Sequence, residues 1–170
     1  MPFPSHPTHR LFSFLILVAT TCLLASCGPS VQPIKLPPAL TFIDLASGQI
    51  FETRNLKGKL ILLNLWAAWS PASAKELPQV VELNDKYAGQ GLITIGVSLD
   101  DAPPSGLLVF AERHGIRYPI VRAGDQTLDQ LNPIETIPYT LLLNSEGKVL
   151  NRFRGPFKPS EVREAIEKNL

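Results

Sequence analysis

The chain has 170 residues, of which 45% are apolar, with 16 Lys and Arg against 15 Asp and Glu. That length holds one ordinary domain and a tail, not two comfortable domains. Only Arg10 among the charged residues precedes Cys27, so the remainder is near neutral. This balance excludes a basic nucleic-acid surface and a polyanionic tail.

At the N-terminus, residues 1–10 are Pro-rich and carry one Arg and two His. Residues 11–24 are dominated by apolar side chains, but the run is shorter than the ~20 residues a membrane-spanning helix needs. A weakly charged start, an apolar run and then small residues predict a secretory signal over residues 1–26. Leu24-Ala25-Ser26-Cys27 is similar to a bacterial lipobox, which makes Cys27 the expected lipidation site. Plain cleaved secretion and an uncleaved anchor are the alternatives. Residues 27–38 then read as the lipidated Cys and a Pro-rich, extended tether, and residues 39–170 as the folded domain. The implied location is the bacterial cell envelope, with the domain facing the periplasm or the extracellular side. Cys22 and Cys27 are the two cysteines. Cys22 would leave with the signal, so the folded part holds neither a disulfide nor a thiolate metal site.

Within the domain, residues 41–45 and 49–51 predict two short strands across the Ser47-Gly48 turn. Asn55-Leu56-Lys57-Gly58-Lys59 predicts another turn. Residues 60–66, Leu-Ile-Leu-Leu-Asn-Leu-Trp, are apolar without alternation, as expected of a strand covered on both faces. Residues 71–88 predict a helix with Leu77, Val80, Val81, Asn84 and Tyr87 near one face and a kink at Pro78, ended by Gly89 to Gly91. A second central strand follows at 92–99 and a loop at 100–106. Next come a short helix at 107–114 closed by Gly115, a short strand at 118–122 and a helical turn at 127–131. Residues 140–143 and 148–154 predict a hairpin across Asn144-Ser145-Glu146-Gly147. Residues 160–170 predict a closing helix with Val162, Ala165, Ile166 and Leu170 as its apolar face. The alternation of strands and helices with a final hairpin gives an α/β fold with a mixed sheet.

Four stretches carry a family resemblance, in order: residues 56–67; Trp69-Ser70-Pro71-Ala72-Ser73; Lys75-Glu76-Leu77-Pro78; and Ile137-Pro138-Tyr139-Thr140-Leu141-Leu142-Leu143 with the turn after it. From about Ala39 to Leu170 the chain resembles the TlpA/ResA-like thioredoxins of the redoxin and AhpC/TSA superfamily. The resemblance implies a thioredoxin-like fold, a central mixed sheet flanked by helices, with an N-terminal β-hairpin extension. It also implies a lineage of thiol–disulfide oxidoreductases that serve cytochrome c maturation or envelope redox homeostasis. By position, Ser70 stands where the family has its nucleophilic Cys, and Ser73 where it has the resolving Cys. Asn64 falls on the strand where some thioredoxins keep a buried acid. Pro138 falls on the family's cis-proline.

A serine cannot supply the thiolate on which such chemistry depends. Ser70 is instead a favoured helix N-cap, with Pro71 at the first helical position. Ser73 reads as a solvent-edge or back-bonding hydroxyl. A serine hydrolase would need a base within reach, and His114, the one His beyond the signal, falls at the end of a different helix. One His and no thiols leave no metal site to expect. Asp100-Asp101 reads as a solvated loop pair and Trp66 as core packing. The expected client-binding surface is Trp69, Pro71, Ala72, Ile137 and Pro138, without catalytic residues, metal or cofactor.

The reading is therefore a tethered, monomeric, redox-inactive client-binding or accessory module for extracytoplasmic proteins or peptides. Two rivals stand beside it. One is an active oxidoreductase or peroxide-related antioxidant enzyme that borrows an external thiol. The other is a structural scaffold in a respiratory assembly complex.

Overall fold

The structure, a computed structural model, describes residues 40–56, 60–131 and 133–170. The expected signal, Cys27, the tether and most of the turn at 55–59 lie outside these residues. Among the described residues, seven strands form one sheet: β1 (Thr41–Asp44), β2 (Ile50–Glu52), β3 (Leu60–Trp66), β4 (Leu92–Ser98), β5 (Ile120–Ala123), β6 (Tyr139–Leu143) and β7 (Val149–Arg154). Four α-helices accompany them among the described residues: α1 (Pro71–Tyr87), α2 (Pro104–Arg113), α3 (Asp125–Leu131) and α4 (Pro159–Glu167).

The spatial order is β2-β1-β5-β4-β3-β6-β7. β3 runs parallel to β4 and antiparallel to β6, and β4 runs parallel to β5. The N-terminal hairpin joins the same sheet through antiparallel pairing of β1 with β5. The sheet is mixed and the fold thioredoxin-like, as expected.

The unbroken apolar run in β3 has a direct cause. Ile61, Leu63 and Leu65 point into one core layer with Phe42, Ile95, Val97 and Leu141. Leu60 and Leu62 point into another, with Val80, Leu83, Tyr87, Val162 and Ile166 from α1 and α4. Successive residues of a strand face opposite sides, and here both sides are covered. Each leucine so buried contributes ~1.5–3 kcal/mol.

Several boundaries differ from expectation. α2 begins at Pro104, three residues before the expected start, because a proline at the first helical position forfeits an N–H that has no partner there anyway. The strand expected at 118–122 lies at 120–123. α1 continues through Pro78, and its buried stripe is Ser73, Glu76, Leu77, Val80, Leu83 and Tyr87. Asn84 and Val81 lie at the edge of that stripe, half-buried. The spacing 73-76-80-83-87 is the tighter helical repeat, and it places Glu76 on the core side. The helix ends through a short turn at Ala88–Gln90, with Gly91 at φ 110°. Leu170 lies beyond the end of α4 and is exposed, so it is not part of that helix's buried face.

Candidate functional site

The site forms where β3 gives way to α1. Trp66 closes the strand, fully buried, with its ring stacked on Phe110 of α2 at 5.3 Å. Gly96 makes room for it: a Cβ there would lie 3.0 Å from Trp66 Nε1 and 3.1 Å from Tyr118 Cε2. Asp100, at the end of β4, holds the turn itself. Its two carboxylate oxygens accept the Ala68 N–H at 3.0 and 2.9 Å, and Oδ2 also accepts the Ser98 hydroxyl at 2.8 Å. Asp100 is buried and Asp101 exposed, so the pair is not a solvated loop pair. One member is a structural acceptor that fixes the turn.

Ser70 is the N-cap of α1, with φ −90° and ψ 112°, and Pro71 follows at the first helical position. Its Oγ accepts the Ser73 N–H at 3.2 Å. The Ser73 side chain is fully buried, and its Oγ accepts the Ala67 N–H at 3.4 Å. Ser73 is therefore not at a solvent edge. The repeat that buries Glu76 and Val80 carries it inward as well.

Beneath the turn lies a polar cluster inside the apolar layer. Glu76 is 1% exposed. Its Oε1 accepts Asn64 Nδ2 at 2.9 Å and the Thr140 hydroxyl at 3.5 Å, while Oε2 accepts the Phe157 N–H at 3.0 Å. Asn64 Nδ2 also donates to Thr140 Oγ1 at 2.9 Å, and Asn64 Oδ1 is buried without a hydrogen-bond partner among the described residues. Burial pushes the Glu76 carboxyl up to about 7, against the pull of its hydrogen bonds from Phe157, Asn64 and Thr140. Tyr118 is the titratable neighbour that feels this charge: burial, and secondly Glu76, hold its phenol above the ordinary value.

The Ile137–Pro138 peptide bond is cis. The β3–β6 ladder pairs Leu65 with Tyr139, so its next step sets Pro138 across from Trp66 at the same end of the sheet as the turn. Pro138 itself is buried. The side chains that reach solvent among the expected surface residues are Trp69, 69% exposed, Pro71, and in part Ala72 and Ile137. His114 caps α2 rather than facing the serines. Its ring stacks on Phe110 at 4.1 Å, and Nδ1 lies 2.8 Å from the Phe110 carbonyl oxygen. Among the described residues, no group of His, Cys, Asp and Glu could hold a metal ion.

Residues 34–168 match the Redoxin family model. The chain belongs to the redoxin family. Among curated relatives of this redoxin, the thiol-disulfide oxidoreductase ResA of Halalkalibacterium halodurans is 29% identical over 120 residues, covering 71% of this chain and 68% of that protein. ResA of Bacillus subtilis is 26% identical over 122 residues, covering 72% and 68%. Among solved structures, StoA from Bacillus subtilis superposes with a TM-score of 0.64 at 25% identity, covering 77% of this chain and 98% of that one. A thiol:disulfide interchange protein from Chlorobium tepidum reaches 0.70 at 21% identity, covering 79% and 95%, and supports the fold alone.

The chemistry open to this redoxin is set by what its side chains are already doing. The Ser70 hydroxyl is occupied as a cap and the Ser73 hydroxyl is buried. Within the polar cluster beneath the turn, Glu76 is the carboxyl that burial lifts to about 7. Sequence reasoning noted Glu76 only as part of a motif. The available signal was its place on the 73-76-80-83-87 repeat, where an acid on an apolar stripe marks a buried polar site. Thr140 and the Phe157 N–H carried no comparable signal, because they reach Glu76 from more than 60 residues away in sequence.

Proposed function

We propose that this redoxin is a redox-inactive docking module that holds extended segments of extracytoplasmic proteins without covalent capture. The observation that carries the reading is the state of the two serines: one caps the helix, the other is buried, and no cysteine follows Cys27. Trp69 stands exposed beside them, and Ile137 is partly exposed at the same end of the sheet. In this reading an extended peptide lies against the backbone of the Ile137–Pro138 segment that leads into β6. In this reading residues 1–26 are a signal, Cys27 carries lipid, and residues 28–38 tether the domain to the bacterial envelope. Among the described residues, no helix is long and apolar enough to cross a membrane. In this reading the domain acts as an accessory monomer in envelope protein or cytochrome c maturation, the role that the family resemblance implies.

The deciding experiment is a disulfide-reduction turbidity assay with insulin and the purified full chain. The expected result is no turnover above a heat-inactivated control, with activity gained in the Ser70→Cys plus Ser73→Cys double variant. Turnover by the wild-type chain with added thiol would overturn the reading. It would establish the rival, an oxidoreductase using an external thiol, for which a carboxyl at about 7 beneath the turn is the favouring observation. For the anchor, Cys27→Ala should move the protein to the soluble fraction, and unchanged membrane association would reject lipidation at Cys27.

A further inference from the structure

The carboxylate of Glu76 reaches the Ile137–Pro138 segment by two routes. Directly, Oε1 accepts the hydroxyl of Thr140, two residues after Pro138. Indirectly, Oε2 holds the Phe157 N–H, and the same loop returns through Gly155, whose N–H donates to the Pro138 carbonyl oxygen at 2.9 Å. Every polar neighbour that Glu76 meets here is presented as a donor: the Asn64 amide NH2, the Thr140 hydroxyl and the Phe157 N–H. This is the pattern that suits an ionised carboxylate.

We propose that ionised Glu76 is a clamp that positions the Ile137–Pro138 segment, and that protonation of Glu76 loosens the segment and lowers client affinity. The inference rests on the docking reading above. Two features of the cluster give the protonated form a defined arrangement of its own. A neutral carboxyl must donate its proton, and Asn64 Oδ1 is a buried acceptor with no other partner among the described residues. Turning over the Asn64 amide brings that oxygen to face both Glu76 and the Thr140 hydroxyl, at the cost of moving the NH2 to the buried place where Oδ1 had no partner. Thr140 then donates to Asn64 instead of Glu76, and the Phe157 N–H keeps only a neutral acceptor. Hydrogen bonds to a charged acceptor are roughly twice as strong as neutral ones, so both routes to Pro138 weaken together.

The groups facing Glu76 leave it as the titrating member. β3 presents Asn64, β6 presents Thr140, and α4 presents Val162 and Ile166 to the same layer. Tyr118 titrates far above neutral pH. Lys158, beside Phe157, is exposed and pairs with Glu161 at 3.3 Å.

The test is an NMR titration of the full chain in detergent micelles from about pH 5 to about pH 9, which brackets a perturbed carboxyl. It is run beside binding of reduced, carboxymethylated α-lactalbumin as an unfolded probe. The Asn64 side-chain NH2 and the Phe157 and Gly155 backbone amides should titrate with one midpoint. Probe affinity should rise with pH through that midpoint by roughly fivefold or more. In Glu76→Gln both responses should be flat. Phe157 and Gly155 amides that do not titrate in the wild-type chain would overturn the clamp, and this readout needs no variant. Amides that titrate while probe affinity stays constant would overturn the regulation. A probe that binds at no pH would overturn the docking reading and the regulation with it, and co-titrating amides would show that the docking reading had failed and not the clamp.

Discussion

The backbone N–H of Ser73 donates to the Oγ of Ser70 at 3.2 Å, so the two serines of the turn are tied to each other as cap and first helical turn. The serine pair does for the fold what serine does at many helix starts, satisfying one of the orphan N–H groups.

Ser70→Ala should therefore destabilise the domain by about 1 kcal/mol, with Ser70→Gly losing less because glycine is tolerated at the N-cap. Urea unfolding of the two variants measures the difference. Equal midpoints for Ser70→Ala and the wild type would mean that the cap contributes nothing.

Asp100 gives a sharper case. Its carboxylate takes the Ala68 N–H and the Ser98 hydroxyl in a part-buried setting. Asp100→Ala strands both donors, at a cost of about 1–3 kcal/mol. Asp100→Asn keeps one carbonyl oxygen and should lose less. Hydrogen exchange at Ala68 should speed up in the same order, with Asp100→Ala fastest.

Gly96 sets the space for Trp66. In Gly96→Ala the added methyl would sit 3.0 Å from Trp66 Nε1 and 3.1 Å from the Tyr118 ring. Both rings are buried in a packed layer, so neither yields freely, and the loss should be about 1–3 kcal/mol. Trp66 fluorescence should change with it. An unchanged emission spectrum and midpoint would show that the layer accommodates the methyl.

These cases mark how far the sequence could be read. The run at residues 60–66 announced a strand covered on both faces, and the Ser70-Pro71 pair announced a helix start, because each follows from local rules. Residues 104–106 were hidden by the loop-like look of Ala102-Pro103-Pro104, although Pro104 suits a first helical position. Asp100 was misread and Glu76 left unread for one shared reason. An acid is read as exposed unless its partners are known, and their partners are an N–H 32 residues away for Asp100 and one 81 residues away for Glu76. Those partners meet only through the order of strands in the sheet.

The last prediction concerns pH and stability. The Glu76 carboxyl lies at about 7 in the folded chain against 4.5 for the ordinary value, with burial as the leading cause. Between those two values the folded state binds more protons than the unfolded state, so stability falls as pH rises. The contribution is fully present below about pH 4.5 and is lost as pH passes through about 7, on the order of 3 kcal/mol across the window. Glu76→Gln should flatten this slope and gain on the wild type above neutral pH. Thr140→Val removes one hydrogen bond that favours the charged form, so it should raise the Glu76 carboxyl further and move the loss of stability to higher pH. Urea unfolding at several pH values, beside a carbon-13 titration of the Glu76 carboxyl, reads both effects. A slope unchanged in Glu76→Gln would assign the pH dependence to another group.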